Sequence, residues 1–295
     1  MARRTLFVIT VSLLLASTAQ ASDWVLKKSS GFSTPGQGQK AKNGLPDGYA
    51  AKISRGDIAS AWYTQPTRRY RHAILGDDIE AGGLKVSLRN GKTVELSLPE
   101  NLVFEDRTPR LHDLDGDGKV EVITLLASNS QGAAISVYGM SNGKLKQIDQ
   151  TPFIGRSNRW RNVAGIADYN GDGALEIAEV VTPHIGGTLR FWSWKKRRMK
   201  LAGSARYFSN HAIGAREQRL SATADFNGDG LPDLAVPGGS RDTLHLMGFV
   251  KGRKLAEIAQ TRLPSAISHP ILRLRGKVGV KVKLRDGSVW SYQRN

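Results

Sequence analysis

Short apolar runs along this 295-residue chain alternate with turns that are rich in glycine, asparagine and basic residues. Apolar-alternating segments joined by such turns are typical of β-hairpins. Five turns of this kind occur, at Leu88–Lys92, Met140–Lys144, Trp194–Arg198, Val250–Arg253 and Leu284–Ser288. The first four are spaced by about one repeat, and the last comes early. The pattern predicts an all-β fold built from five similar units.

A second periodic signal is an acidic loop of nine residues that occurs three times, beginning at residues 113, 168 and 225. Aspartate or asparagine occupies positions one, three and five, glycine occupies position six, and an acid occupies position nine. Calcium takes six to eight oxygen ligands, and these side chains, with the carbonyl of position seven, supply such a shell. The predicted ligands are Asp113, Asp115, Asp117, Lys119 and Glu121; Asp168, Asn170, Asp172, Ala174 and Glu176; and Asp225, Asn227, Asp229, Leu231 and Asp233. The sequence therefore predicts about three Ca²⁺ ions.

The second acidic loop also satisfies the EF-hand pattern, because Glu179 falls at its position twelve. The other two loops carry Thr124 and Val236 there. The flanking segments are β-branched and about six residues long, whereas an EF-hand requires two amphipathic helices. We therefore reject the EF-hand. Turns without metal remain the alternative, and three in-phase copies with an acid at position nine argue against it.

The three loops, each with a short apolar strand before and after it, resemble the FG-GAP or VCBS repeats of integrin-type β-propellers, over about residues 100–265. The resemblance implies one blade per repeat, with calcium held between the innermost strand of a blade and the next strand. It implies no enzymatic activity, because propellers of that family are mostly binding platforms. We expect five blades; six or seven are the alternatives if residues 64–112 are divided differently. Residues 271–295 supply three strands of the last blade, and Ile58–Tyr63 is the predicted donor of its closing strand.

The start of the chain predicts export. Residues 1–21 combine Arg3 and Arg4 with an apolar run and a small-residue cleavage site, which predicts a signal peptide cut after Ala21. Residues 22–47 are rich in Gly, Ser and Lys and predict a flexible arm, followed by a single propeller domain over 48–295. No later apolar stretch is long enough to span a bilayer, and the absence of cysteine excludes a lipoprotein anchor and disulfides. We expect a periplasmic or secreted protein.

The formal net charge of +17 points to anionic partners. Export argues against nucleic acid and favours a protein or an anionic glycan of the cell envelope; solubility alone is the other interpretation. Basic turns could also give peripheral contact with an anionic surface, and the alternative is a row of solvated turn residues. The basic residues concerned are Lys195, Lys196, Arg197, Arg198, Lys251, Arg253 and Lys254. We expect a monomer.

Turns of a propeller alternate between two faces, so the acidic loops and basic hairpins should share one face and the links between blades the other. The linking face gathers aromatic, amide, imidazole and guanidinium groups, which suit sugars or anions. The predicted ligand-binding residues are Arg69, His72, Arg107, Asn158, Trp160, His184, Asn210, His211 and Arg216. We expect a binding or scaffold module. The alternative is a polysaccharide lyase or hydrolase that pairs His184 or His211 with Glu105 or Asp106, and no catalytic residue is assigned.

Overall fold

The computed structural model describes residues 23–250 and 254–295, and it contains 21 β-strands and no helix within those ranges. The predicted signal peptide and its cleavage site lie outside the described residues. Across the same ranges, the structure contains no helix with the length and apolar character needed to cross a membrane. The all-β prediction is confirmed.

The largest sheet has nine strands and consists of two four-stranded units joined by one short strand. The first unit contains β2 (Ala51–Lys52), β3 (Ile58–Thr67), β4 (Glu80–Leu88) and β5 (Thr93–Ser97). The second unit contains β7 (Arg110–His112), β8 (Glu121–Ser128), β9 (Gly132–Ser141) and β10 (Lys144–Gln150). The joining strand, β6 (Leu102–Phe104), pairs with both β4 and β8.

Three further sheets have four antiparallel strands each. The third unit contains β11 (Arg161–Ala167), β12 (Glu176–Val181), β13 (Thr188–Lys195) and β14 (Arg198–Arg206). The fourth contains β15 (Ala222–Ala224), β16 (Asp233–Pro237), β17 (Thr243–Val250) and β18 (Lys254–Arg262). The fifth contains β19 (Leu272–Arg273), β20 (Gly279–Lys283), β21 (Val289–Arg294) and β1 (Trp24–Ser29).

The core lies between consecutive units, in four large apolar clusters that each draw residues from two neighbours. Phe191 of the third unit, for example, meets Phe249 of the fourth edge to face, with ring centroids 5.3 Å apart. The second strands β8 and β12 are buried along their whole length. A strand buried on both faces is apolar at nearly every position, which explains why Thr124 is the one polar residue of Val122–Ala127. This stacking of four-stranded units is compatible with a β-propeller.

The last sheet is completed by the start of the described chain, and this corrects two predictions. Strand β1 pairs antiparallel with β21, from Trp24 opposite Arg294 to Ser29 opposite Val289. The flexible-arm prediction for residues 22–47 is therefore wrong for Trp24–Ser29. The predicted closing donor Ile58–Tyr63 is also wrong, because it lies in β3 and pairs with β4. The physical reason is that Trp24 and Leu26 are two residues apart in a strand, so both side chains lie on the same face and pack on the core between the fourth and fifth units.

Four of the five predicted hairpin turns lie between consecutive paired strands: β4–β5, β9–β10, β13–β14 and β20–β21. The fifth falls between β17 and β18, which are also paired, but residues 251–253 lie outside the described ranges. Turn chemistry thus located the hairpin between the third and fourth strands in the first four units, and between the second and third strands in the fifth, where β1 is the outermost strand. It could do so because a hairpin depends only on residues that are close in sequence.

Candidate functional site

All three predicted acidic loops occupy the same place in their units, between the first and second strands: β7–β8, β11–β12 and β15–β16. Gly118, Gly173 and Gly230 at position six have φ values of +83°, +85° and +87°. Glycine reaches this left-handed region at no steric cost, whereas other residues are strained there. The loops are therefore equivalent in structure as well as in sequence.

The acid at position nine of each loop is buried. Glu121, Glu176 and Asp233 are each at most 1% exposed. One carboxylate oxygen of each accepts the backbone N–H of position two: Leu114 at 2.9 Å, Tyr169 at 2.9 Å and Phe226 at 2.8 Å. Burial raises the pKa of Glu121 and of Asp233 to about 7, and it also raises the pKa of Glu176. A buried carboxylate whose charge is disfavoured in this way is stabilised by a nearby cation.

The first loop has the most complete oxygen cage. Ligand atoms of Asp113, Asp115 and Asp117 all lie within 4.8 Å of one another. Asp113 Oδ2 accepts the N–H of Gly118 at 2.9 Å. Asp113 Oδ1 is buried and has no hydrogen-bond partner among the described residues. An orphaned carboxylate oxygen beside two further carboxylates fits a hard cation such as Ca²⁺, which takes oxygen ligands.

The second and third loops are held by internal hydrogen bonds. Both oxygens of Asp168 accept backbone N–H groups, from Asp172 at 3.1 Å and Gly173 at 2.9 Å. Asp225 does the same with Gly228 at 2.6 Å and Gly230 at 2.9 Å. In the described parts of the chain, three acidic ligands gather at metal distance only in the first loop. One reason is that position three of the second and third loops is an asparagine, so each of these loops brings fewer carboxylates together.

Basic side chains of the β13–β14 turn lie against two of the acidic loops. Lys195 Nζ is 2.6 Å from Asp172 Oδ2, and this hydrogen bond raises the pKa of Lys195. Arg197 Nη1 is 3.7 Å from Glu121 Oε1 and 3.9 Å from Asp117 Oδ2. The expectation that acidic loops and basic hairpins share one side is confirmed for this turn. An ammonium on a predicted calcium ligand is placed to compete with a metal ion.

The first unit holds a side-chain cation at the corresponding loop, between β2 and β3. The guanidinium of Arg89 donates through Nη2 to the carbonyls of Ile53 at 2.9 Å and Arg55 at 3.2 Å, and through Nε to that of Gly56 at 3.3 Å. Sequence reasoning missed this arrangement. The only indication in the sequence was an arginine in the β4–β5 hairpin turn. Arginine is common in such turns, and its presence does not indicate which carbonyl groups it contacts.

Three of the predicted ligand-binding residues, His72, His184 and His211, cluster on the linking face around a fourth, Trp160. The indole N–H of Trp160 donates to the carbonyl of Glu105 at 3.0 Å, and His72 Nδ1 lies 2.5 Å from Glu105 Oε1. The ring of Trp160 is nearly parallel to that of His184, with centroids 6.2 Å apart, and lies 4.7 Å from that of His211. His184 Nε2 and His211 Nδ1 are 3.0 Å apart.

The direction of the hydrogen bond between His184 and His211 follows from the other partner of His211. His211 Nε2 lies 2.7 Å from the carbonyl of Ala215, so this nitrogen carries the proton. His211 Nδ1 then accepts from the Nε2–H of His184. Burial lowers the pKa of His184 to about 3 and that of His211 to about 4. Both rings are therefore neutral at pH 7 and act as a link between two loops.

Most of the remaining predicted residues also hold the linking loops together. Arg69 donates to the carbonyl of Leu102 and Arg107 pairs with Asp47 at 2.6 Å. Arg216 lies 3.1 Å from Asp77, and its side chain is 54% exposed. The buried set is Arg107, Trp160, Asn210 and His211, and the accessible set is Arg69, His72, Asn158, His184 and Arg216. Contact of either set with a ligand stays a prediction.

Three exposed apolar side chains on the same face were not predicted. Ile185, Tyr207 and Ile213 are 61%, 73% and 72% exposed. Their loops are joined by the His184–His211 hydrogen bond and by the N–H of Phe208, which donates to the carbonyl of Gly187 at 3.1 Å. Tyr207 has a φ of +70°, which is strained for a bulky residue. The sequence could have indicated these exposed side chains, because each is an apolar residue in a segment between predicted strands.

Comparison with protein families gives two matches. Residues 113–178 match the FG-GAP-like repeat, and residues 219–243 match the FG-GAP repeat. The first match contains the first two acidic loops, and the second contains the third. The search of curated proteins gave no match to this chain. The repeats found by the comparison are thus the segments that carry the acidic loops, and together they support an FG-GAP repeat protein.

Proposed function

We propose that the protein is an exported, calcium-binding β-propeller of five blades that acts as a binding module for a partner in the cell envelope. The observation that carries the proposal is the repeated acidic loop, with buried acids at position nine in all three copies and an orphaned Asp113 oxygen in the first. FG-GAP repeats are typically protein-binding modules, and two stretches of the chain match them. We therefore favour a protein partner over a glycan.

Five four-stranded units with packed neighbours support the blade number. First strands lie beside one another in the pairs β2–β7, β11–β15 and β15–β19. The segment after β1 supports a junction between the fifth and first units. Lys281 of β20 donates to the carbonyl of Ser30 at 3.1 Å, and further along Arg107 Nε donates to Asp47 at 2.6 Å. This segment leads along the chain from the fifth sheet to the first and contacts the β6–β7 link, which favours closure of the series.

Calcium would be held by the oxygens of the three acidic loops and would supply the positive charge that their buried carboxylates require. Each loop is held in shape by its position-nine acid, whose carboxylate accepts the backbone N–H of position two. Because a ligand that binds only the folded state stabilises it, removing calcium should lower the unfolding temperature. Without cysteine, the protein has no disulfide to serve that purpose in an envelope compartment.

The partner would dock on the linking face at three exposed apolar side chains on joined loops, Ile185, Tyr207 and Ile213, which we call the apolar patch. Exposed apolar clusters on rigid loops mark interaction sites more often than isolated apolar residues do. Backbone strain at Tyr207 adds to this argument, because strain persists where the surrounding structure imposes a functional geometry. The net charge of +17 favours a partner with acidic groups around its contact surface.

The test has two parts. Purified mature protein should contain about three Ca²⁺ by elemental analysis, and a chelator should lower its melting temperature. Tagged protein should then retain a partner from envelope extract, and the double variant Tyr207→Ser/Ile213→Ser should lose it. Leu201→Ser is the matched control, since Leu201 is 53% exposed on β14 and outside the patch.

Absence of bound calcium together with no effect of the chelator would refute the metal assignment. Retention of the same partner by the double variant would refute the patch. Recovery of a glycan and no protein would show that the partner is a glycan instead of a protein, and it would leave the calcium assignment unchanged.

A further inference from the structure

A concave site lies between the fourth and fifth units, and its role does not depend on the function proposed above. Its floor is formed by β15 and β19, the first strands of their sheets, and one wall by the β19–β20 turn. The opposite wall includes Ser33 and Pro35 of the segment after β1. Its volume is about 920 Å³. Sites for small molecules typically enclose about 300–1,000 Å³, so the cleft is large enough for one.

The charge on the cleft is strongly positive. Arg273, Arg275 and Lys277 line it, and none of them has a carboxylate within 4.0 Å in the described parts of the chain. Asp225 is the only acid among the described lining residues. Its two oxygens already accept the backbone N–H groups of Gly228 and Gly230, so they are directed into their own loop. Three uncompensated cations therefore face one concave surface.

A fourth cation, Arg219, builds the wall and leaves the other three for a ligand. Its guanidinium meets Glu217 through Nε at 2.7 Å and through Nη2 at 2.8 Å. Its Nη1 donates to the carbonyls of Pro35 at 3.0 Å and Gly36 at 3.1 Å. Arg219 thus fixes the segment after β1 over the first strand of the fourth unit.

The basic turn occupies the position at which three other units carry their acidic loops. In the second, third and fourth units, the connection from first to second strand is acidic, whereas here it includes Arg275-Gly276-Lys277. The chain after the turn is closely packed: a Cβ on Gly279 would lie 2.4 Å from the carbonyl oxygen of Tyr292. Close packing at this point holds the basic turn in place against β21.

Two of the three hydroxyl side chains that line the cleft, those of Ser221 and Thr223, are already engaged. Ser221 Oγ donates to the carbonyl of Ala164 at 2.7 Å, and Thr223 Oγ1 lies 2.7 Å from Tyr169 Oη. Recognition would therefore come from the three cations, with Val278, which is 40% exposed, offering apolar contact. Guanidinium groups bind carboxylate and phosphate oxygens through paired hydrogen bonds.

We infer that this cleft binds a small molecule that carries at least two oxyanion groups, either phosphates or carboxylates. Two separated anionic groups match the spread of three cations along the wall better than one. Affinity should fall as salt rises, because the cations are exposed and screened. The site adjoins the third acidic loop, whose Asp225 lines it, and its lining includes no residue of the apolar patch on the linking face.

The experiment is calorimetric titration of the mature protein in excess Ca²⁺, with fructose 1,6-bisphosphate as the phosphate probe and tricarballylate as the carboxylate probe. At least one probe should bind with a dissociation constant below about 1 mM, equivalent to about −4 kcal/mol. The double variant Arg275→Glu/Lys277→Glu should weaken binding at least tenfold. The matched control is Lys144→Glu/Lys146→Glu, which makes the same change of charge at two exposed positions of β10, outside the cleft and the acidic loops, and should stay within twofold of the original protein.

The comparison of probes identifies the oxyanion class. Circular dichroism and the bound calcium count, measured on every variant, establish that the fold is retained, and Arg273→Gln provides a milder substitution if the double variant unfolds. Failure of both probes to bind at low salt would overturn the inference. Equal weakening in the control would also overturn it, because binding would then follow total charge and not this cleft.

Discussion

The ion pair between Arg161 and Glu179 gives the sharpest test of how the third unit is held. Both side chains are at most 1% exposed. Arg161 Nη1 lies 3.0 and 3.1 Å from the two carboxylate oxygens, and Glu179 also accepts the indole N–H of Trp192 at 2.7 Å. Arg161 further donates to Thr151 Oγ1 at 2.9 Å, on the chain that follows β10. The pair therefore ties β11 and β12 to the preceding unit.

Arg161→Met should strongly destabilise the protein, because it leaves the charge of Glu179 buried without a partner. Removing one member of a buried pair costs about 3–5 kcal/mol. That is a third or more of the total stability of many domains, which is about 5–15 kcal/mol. In a chain of this size the melting temperature should fall by roughly 10 °C.

The double variant Arg161→Met/Glu179→Gln should recover more than half of this loss. The glutamine is neutral, and its amide oxygen still accepts the N–H of Trp192. Urea denaturation in saturating Ca²⁺, followed by tryptophan fluorescence and by circular dichroism, measures both free energies of unfolding. A loss below about 1 kcal/mol in the single variant, or a double variant no more stable than the single one, would refute the argument, since the cost would then not come from an unpaired buried charge.

Three further predictions concern the acidic loops. Asp113→Asn/Asp117→Asn should remove one calcium ion and leave the others, because each loop is local to its unit; elemental analysis counts the ions, and loss of all three would contradict local binding. Lys195→Met should raise the calcium affinity of the second loop, because its ammonium lies on Asp172; calorimetry measures the change, Lys196→Met is the control, and unchanged affinity would show that Lys195 does not compete. The metal-free protein should become less stable as pH rises from about 4 to 7. Burial raises the pKa of Glu121 and Asp233 to about 7, above their ordinary values near 4, so the folded state binds more protons than the unfolded chain in that window. Melting temperatures at pH 5 and pH 8 in chelator test this, calcium should reduce the difference, and a higher melting temperature at pH 8 in chelator would contradict it.

Features that depend on neighbouring residues were predictable from the sequence. The acidic loops, their equivalence and the hairpin turns each rest on a few consecutive positions, where glycine, acid and turn residues leave few conformations. The repeat of these local units also predicted the all-β fold. Glu179 illustrates the limit of such reasoning: the loop pattern excluded it as a calcium ligand, but nothing local indicated its partner Arg161.

Tertiary structure decided the features that join distant parts of the chain. Strand β1 closes the last sheet by pairing Trp24 with Arg294, and no local pattern distinguishes this partner from Ile58–Tyr63, which is also a short segment with a mixture of apolar and small residues. Arg89 fills the loop of the first unit only because β4 and β5 place it there. The burial of Trp160 and His211 likewise follows from the packing of separate loops. The reason is common to all: turn and strand preferences act over a few residues, whereas pairing, burial and charge compensation are set by whichever segments the fold brings together.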